Sequence, residues 1–404
     1  MAELECRLCG GQNLSAVVER PRSAVLQNRV FESAAEARAA RAGQLDIRRC
    51  AACGFMHNYA FDPALVEYVP EYENEQGNSA HFRAHMAGLI DQIASAADAM
   101  AGREAGSLSV VDIGCGQGGF LETVLSRLGT RACGFGFDAA FRGAEVETGD
   151  RRYYRRYFDG ATGYLVPDGP VIMVTRHVIE HVPDPVGFLR GIRAAIRPAQ
   201  QVRLYIETPC AEWIFRNRVV QDFFYEHCNY WTADSLSFAA ARAGFATAGV
   251  RHVFSGQYLW LEAMPEAEAA GADAHPDTIS DGALIEAYRA AEAATLGNWR
   301  NRVHAMAKEG GVALWGAGGK GVTMASLLDP QAEEIACLID INCNKQGRFV
   351  PVTGHPVVDA RTAVTRYGVR TAIVMNPNYR DEIAAALDGE GLQITLVDET
   401  EVRP

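Results

Sequence analysis

Two cysteine pairs near the start of the chain have the spacing of metal ligands: Cys6-Arg-Leu-Cys9-Gly10 and Cys50-Ala-Ala-Cys53-Gly54. A two-residue gap lets both sulfurs of a pair turn toward one ion, and the glycine behind each pair permits a tight turn. Cys6, Cys9, Cys50 and Cys53 together supply the four thiolates of a closed tetrahedral zinc site with no position left for water. Such a site is expected to be structural, stabilising a segment too small to hold itself together. His57 is surplus to four sulfurs.

A second kind of chemistry is set out in Val110-Val-Asp-Ile-Gly-Cys-Gly-Gln-Gly-Gly119. An apolar run ends in Asp112, and Gly114, Gly116 and Gly118, with Cys115 among them, form a turn that opens a helix. Glycines let the backbone pass close to a ligand. A further strand ends at Asp138, where an acid can accept hydrogen bonds from two ribose hydroxyls. A glycine-rich turn alone serves dinucleotide enzymes equally well. The wording Asp112-Ile-Gly-Cys-Gly-Gln-Gly118, however, resembles the first motif of class I methyltransferases. His177-Val-Ile-Glu-His-Val-Pro-Asp-Pro185 resembles the segment after their fourth strand. The resemblance implies S-adenosylmethionine (SAM) as cofactor, bound by Asp112, Gly114, Cys115, Gly116, Gly118, Asp138 and His177. Asp159, near the end of a third strand, would either hold the adenine amino group or stand as an exposed loop carboxylate.

Leu314-Trp-Gly-Ala-Gly-Gly-Lys-Gly321 fits G-x-G-x-x-G after a strand, and Asp340 follows at nearly the distance of a dinucleotide site. The reading favoured over bound NAD is a doubly wound domain that keeps the turn for another phosphate-bearing ligand or for packing. Lys320, Lys345 and Arg348 offer positive charge to a diphosphate. Asn376 and Tyr379 follow a strand, at the end where such sheets bind ligands.

Phe223-Phe-Tyr-Glu-His-Cys-Asn-Tyr230 crowds four aromatics around Glu226 and His227. It follows the strand ending in Glu207-Thr-Pro209 and so lies at the ligand end of the sheet. Methylating a carbon beside a ketone requires removal of a weakly acidic proton. An imidazole such as His227 can take it, with Glu226 fixing the tautomer. The resulting enolate oxygen needs a donor, for which Tyr225 or His181 would serve.

Taken together, the chain resembles the three-domain sugar C-methyltransferases, which act on C3 of nucleotide-linked 4-keto-deoxysugars. The shared pieces are the C-x-x-C pairs, Glu71-Tyr-Glu-Asn before Ser79-Ala-His-Phe82, the SAM motif, Glu180-His181, Tyr225-Glu-His227, Gly316-Ala-Gly-Gly-Lys-Gly321, and Asp340 leading into Lys345-Gln-Gly-Arg348. The resemblance implies a substrate between the middle and C-terminal domains. It also implies His227 as base, Glu226 as its partner, His181 and Tyr225 nearby, and Tyr72 at the substrate. Two departures fall at the substrate. The family's Tyr-x-Glu-His reads Phe224-Tyr225-Glu226-His227 here, and its Tyr-Pro-Tyr-x-Ser is rewritten as Glu71-Tyr72-Glu-Asn-Glu-Gln76.

The elements that must position these groups follow from periodicity. Ser79 to Met100 reads as an amphipathic helix. Strands at Leu108–Ile113, Ala132–Phe137, Val171–Thr175 and Val202–Glu207 alternate with helices, the mark of a parallel sheet covered on both faces. The stretch between Met264 and Asp281 is poor in large apolar residues and reads as a linker. A helix from Leu284 to Lys308 follows, and then strands at Val312–Trp315, Ala336–Asp340, Thr371–Met375 and Gln393–Val397. The fold expected is α/β: two doubly wound Rossmann-like domains preceded by a small zinc-binding module built on the four paired cysteines. The divisions are 1–80, 81–265 and 281–404.

A net charge of −12 argues against nucleic acid as a partner, while leaving room for an anionic small molecule, with a nucleotide sugar expected. No apolar run reaches membrane-spanning length, the acidic start does not resemble a signal peptide, and ten cysteines in a long chain do not form a secreted disulfide framework. The cytoplasm is the expected compartment, and monomer and homo-oligomer are both open. Two other readings compete: O- or N-methylation of another metabolite with SAM, and a catalytically silent SAM-binding scaffold.

Overall fold

A computed structural model of the protein describes residues 4–67, 79–100, 106–146, 149–198, 200–266 and 282–398. Tyr72 with its Glu71–Gln76 segment, and most of the linker expected at 264–281, lie outside the described residues.

In the N-terminal part, strands Leu14–Ala24 and Ala42–Cys50 pair antiparallel and Met56–Asn58 adds beside them. The fourth strand of this sheet is Asn229–Tyr230, from the middle of the chain. Periodicity is weak along these strands for a physical reason. Register shifts at Ala16/Val18 and Arg20/Ser23 break the alternation of sides that a regular strand shows.

The middle sheet runs, in spatial order, Phe245–Val253, Tyr258–Pro265, Val202–Pro209, Val171–Arg176, Leu108–Ile113, Ala132–Phe137 and Arg151–Tyr154. All its strands are parallel except Tyr258–Pro265, which is antiparallel to both neighbours. Leu108–Ile113 is buried at every position, as a strand covered on both faces must be. The helix Ala80–Met100 packs through Phe82, Leu89, Ile90, Ile93, Ala94, Ala97 and Met100, which recur at helical spacing.

The C-terminal sheet is five-stranded and parallel: Val357–Val358, Ile335–Ile339, Gly311–Trp315, Val369–Val374 and Thr395–Val397. Both α/β units are therefore doubly wound about a central first strand that leads into a glycine-rich turn. The N-terminal sheet shares a core with the C-terminal unit, where Val25, Ile47 and Met56 join Val312, Leu314 and Val350. Its cysteine knuckles pack with the middle unit in a second core containing Phe55, Phe137 and Trp231. The first part of the chain thus acts as a wedge between the other two.

Candidate active site

The Leu108–Ile113 strand delivers Asp112 and then the glycine turn, in which Gly114, Gly116 and Gly118 have φ of +77°, +57° and +85°. Side chains rarely adopt this region, so glycine is required there. The turn is held from the next strand: Gly114 N–H donates to Phe137 O at 2.8 Å, and Gly116 N–H to Asp138 Oδ2 at 2.8 Å. Asp138 Oδ1 accepts Ala140 N–H at 2.7 Å. A Cβ on Gly116 would meet nothing within 4 Å, so the backbone there borders open space. Asp112 is buried and its Oδ2 has no hydrogen-bond partner. Burial pushes its carboxyl up to about 7, against the pull of Arg176 and with the push of Asp138. An unpartnered buried carboxylate beneath an open glycine turn fits the ammonium of an aminoacyl ligand, and the residues present therefore fit SAM. Cys115 is buried in the turn and its thiol is pushed up by burial, which keeps it neutral.

Asp159 is an exposed loop carboxylate. The third strand ends at Tyr154, and Asp159 sits exposed beyond it, accepting Ala161 N–H at 2.9 Å and Thr162 N–H at 3.1 Å in a turn of its own. The carboxylate serves that turn because an aspartate two residues before a free N–H closes it locally.

Beside the turn is a charged cluster that sequence reading missed. Glu207 is fully buried and contacts His85 Nε2 at 2.5 Å and Arg176 Nε at 2.6 Å. Burial would raise its carboxyl, but the Arg176 charge and the His85 hydrogen bond override this and hold it at about 2. His177 stands between two buried acids, 3.5 Å from Glu180 Oε1 through Nδ1 and 3.5 Å from Glu207 Oε2 through Nε2. Its φ is +53°, a strained value for a residue other than glycine. Glu180 also accepts the Thr208 hydroxyl at 3.0 Å. Burial opposes its ionisation, yet the His177 hydrogen bond and the His181 charge bring it to about 2. One signal was available: an acid closing the strand after Leu204-Tyr-Ile206 must find a cation once buried.

His181 and His227 meet edge to face, with ring centroids 4.8 Å apart at 89°. His181 Nδ1 donates to the Glu226 carbonyl at 3.0 Å, since a carbonyl can only accept. Burial and then the neighbouring His181 push the His227 imidazole down to about 3, so it is neutral at physiological pH. Glu226 turns the other way: its Oε1 accepts Gln27 N–H at 2.7 Å. The carboxylate whose charge bears on His227 is Glu180. Tyr225 is fully buried, its hydroxyl 2.8 Å from Asp62 N and its ring filling the space over Gly43. The backbone bends at Tyr225 and Glu226, and the aromatic that reaches His227 is Phe224, with centroids 4.8 Å apart at 75°.

The four expected cysteines converge, with all sulfurs within 4.8 Å of one another. Cys6 Sγ to Cys53 Sγ and Cys9 Sγ to Cys50 Sγ are both 3.6 Å. A tetrahedral tetrathiolate ion with metal–sulfur bonds of about 2.3 Å sets its sulfurs roughly 3.8 Å apart. Leu8 N–H and Gly11 N–H point at Cys6 Sγ and Cys9 Sγ, each at 3.4 Å, and would support negative sulfur.

The C-terminal residues expected at the substrate are joined to other parts of the chain. Lys345 Nζ donates to Asn28 Oδ1 at 3.0 Å and to Ala317 O at 3.1 Å. Arg348 pairs with Glu32 at 2.7 Å, and Lys320 with Asp222 at 3.0 Å. Asn376 Nδ2 donates to Gln257 Oε1 at 3.0 Å, and Tyr379 packs edge-on to His81. Asp340 Oδ2 accepts Ala317 N–H at 2.8 Å, repeating the way Asp138 holds the first turn.

Two family models match the chain. Residues 79–248 match a family model described as a methyltransferase domain. Residues 279–391 match one described as a C-methyltransferase C-terminal domain. A ubiquinone biosynthesis O-methyltransferase from Aeromonas salmonicida is 30% identical over 97 residues, which are 23% of this chain and 40% of that protein. The chain thus matches less than half the length of that curated relative. Similar solved structures include a SAM-dependent methyltransferase from Aquifex aeolicus, at 13% identity over 45% of this chain and 89% of that one, TM-score 0.32. Another is the 1,6-didemethyltoxoflavin-N1-methyltransferase of Burkholderia thailandensis with bound S-adenosylhomocysteine, at 16% identity over 47% of this chain and 80% of that one, TM-score 0.31. No helix among the described residues is long and apolar enough to cross a membrane. The chain thus contains a methyltransferase domain followed by a C-methyltransferase C-terminal domain.

Proposed function

We propose that the protein methylates a carbon beside a ketone, with C3 of a nucleotide-linked 4-keto-deoxysugar as the substrate and His227 as the base. The observation that supports this most is the perpendicular His181–His227 pair in a chain that carries a C-methyltransferase C-terminal domain. We also propose that Cys6, Cys9, Cys50 and Cys53 hold one structural zinc ion.

SAM, when bound, supplies an electrophilic methyl group, which the nucleophilic carbon takes while the sulfur keeps the electron pair of the broken bond. The chain's own groups prepare that carbon. His227, neutral, accepts the proton from the carbon beside the carbonyl, the C–H electron pair becomes the C=C bond of the enolate, and the carbonyl π pair moves onto oxygen. His181 Nδ1 is committed to the Glu226 carbonyl, so Nε2 is its working atom. When that nitrogen carries a proton, it donates to the developing oxyanion. Phe224 excludes water from one side of the His227 ring.

The test is exchange in deuterated water without SAM. The wild-type protein should wash deuterium into the position beside the ketone of a 4-keto-deoxysugar nucleotide, and His227→Asn should slow this at least about 100-fold. Absence of exchange in the zinc-loaded wild type, or full activity in the variant, removes the enolate route.

A further inference from the structure

The second glycine-rich turn has the sequence of a phosphate cradle, yet side chains from other parts of the chain crowd its glycines. Ala317 N–H is bound to Asp340. Asn28 Oδ1 lies 3.5 Å from where a Cβ on Gly318 would stand and accepts Lys345 Nζ at 3.0 Å. The next two residues grip the segment that ends in the base. A Cβ on Gly319 would lie 2.9 Å from Phe224 Cζ and 3.1 Å from Phe224 Cε1. Lys320 Nζ pairs with Asp222 Oδ2 at 3.0 Å and lies 4.8 Å from the Trp213 ring centroid, with both charged side chains nearly buried. Phe224 in turn stands edge-on to His227.

We propose that this turn is a seat for the catalytic segment: Gly319 is a positioning residue that makes room for the Phe224 ring, and the ring fixes the His227 imidazole. The C-terminal domain then sets the base of the methyltransferase domain, and the site is complete only when the two units are docked. This rests on the reading of His227 as base. The glycine is needed for space and not for conformation, since its φ is not positive. Alanine at this first turn of the helix Gly319–Leu328 is therefore acceptable to the backbone and conflicts only with the ring.

That distinction permits a double-mutant cycle on the full-length, zinc-loaded protein. Gly319→Ala should slow deuterium exchange at least tenfold and shift its pH profile, with affinity for S-adenosylhomocysteine within twofold of wild type. Over Phe224→Leu, which removes the distal ring atoms, the same change should cost less than threefold. The His227 ring protons, identified in the NMR spectrum by their loss in His227→Asn, should move in Gly319→Ala and return toward place in the double variant. This signal reports the seat even if exchange is absent and the base assignment falls. An undiminished effect of Gly319→Ala over Phe224→Leu, or unmoved His227 signals, overturns the proposal. So does ADP or NAD binding that Gly319→Ala abolishes, because the turn would then be a phosphate cradle after all.

Discussion

Glu226 Oε1 accepts the backbone N–H of Gln27 at 2.7 Å, so the N-terminal wedge is hydrogen-bonded to the residue directly before His227. A side chain placed by sequence beside the base thus anchors a distant segment instead. Its main-chain carbonyl, by holding His181, still organises the site.

This link makes the cysteine cluster matter to catalysis at a distance. Cys50→Ser is expected to lower zinc content from one ion per chain toward none and to reduce methyl transfer at least tenfold. Affinity for S-adenosylhomocysteine should change less, because the first glycine turn lies in the middle unit. Metal analysis alongside calorimetry checks both halves of the expectation.

Tyr225→Phe separates a structural tyrosine from an oxyanion donor. The hydroxyl accepts the N–H of Asp62, an exposed residue, and removing it costs that one hydrogen bond, about 0.5–1.5 kcal/mol. Denaturant midpoints should fall accordingly while the turnover rate stays within about threefold. A turnover slowed by about 100-fold or more at unchanged stability would return Tyr225 to the reacting atoms.

Affinity for the cofactor product should depend on pH through Asp112. Its carboxyl is raised to about 7, so it is neutral below that pH and anionic above it. A cationic ammonium therefore binds better as pH rises. From pH 8 to pH 6 the affinity for S-adenosylhomocysteine should fall about tenfold, and Asp112→Asn should flatten the dependence. Calorimetry across this range decides it.

Glu207→Gln removes the charge that Arg176 and His85 share in the interior. Breaking a buried pair from one side costs about 3–5 kcal/mol, since the remaining cation stays desolvated. The expected result is a clear drop in Tm and weaker cofactor binding. An unchanged melting curve would mean that water reaches the cluster.

His227 predicts the shape of the acid limb. Its folded value of about 3 lies below the ordinary 6.5, so between these values the unfolded chain binds the extra proton and the fold does not. Stability from this group is present above pH 6.5 and is lost as pH falls toward 3. The base itself stays neutral through that interval. An acid limb of the exchange rate near pH 6.5 that tracks His227 by NMR would contradict this.

The chain's own pattern determined the local chemistry and the order of elements. Two C-x-x-C-G knuckles, the Asp112-to-Gly118 turn, the strands alternating with helices and the Glu180-His181 and Glu226-His227 pairs were all legible. Spacing along the backbone alone sets such groups: a knuckle, a turn and a strand need only their neighbours. Which way Glu226 and Tyr225 turn, that Phe224 is the aromatic against His227, and that Lys345 meets Asn28 were decided by tertiary packing. The bend at Tyr225 and Glu226 breaks any alternation along this segment, so spacing does not set the side each group faces. The partners of Lys345 and Glu226 come from sequence positions far away, which no local pattern encodes. The buried ion cluster around Glu207 is of the same kind, since its members are drawn from three separate elements and gain their meaning only when water is excluded.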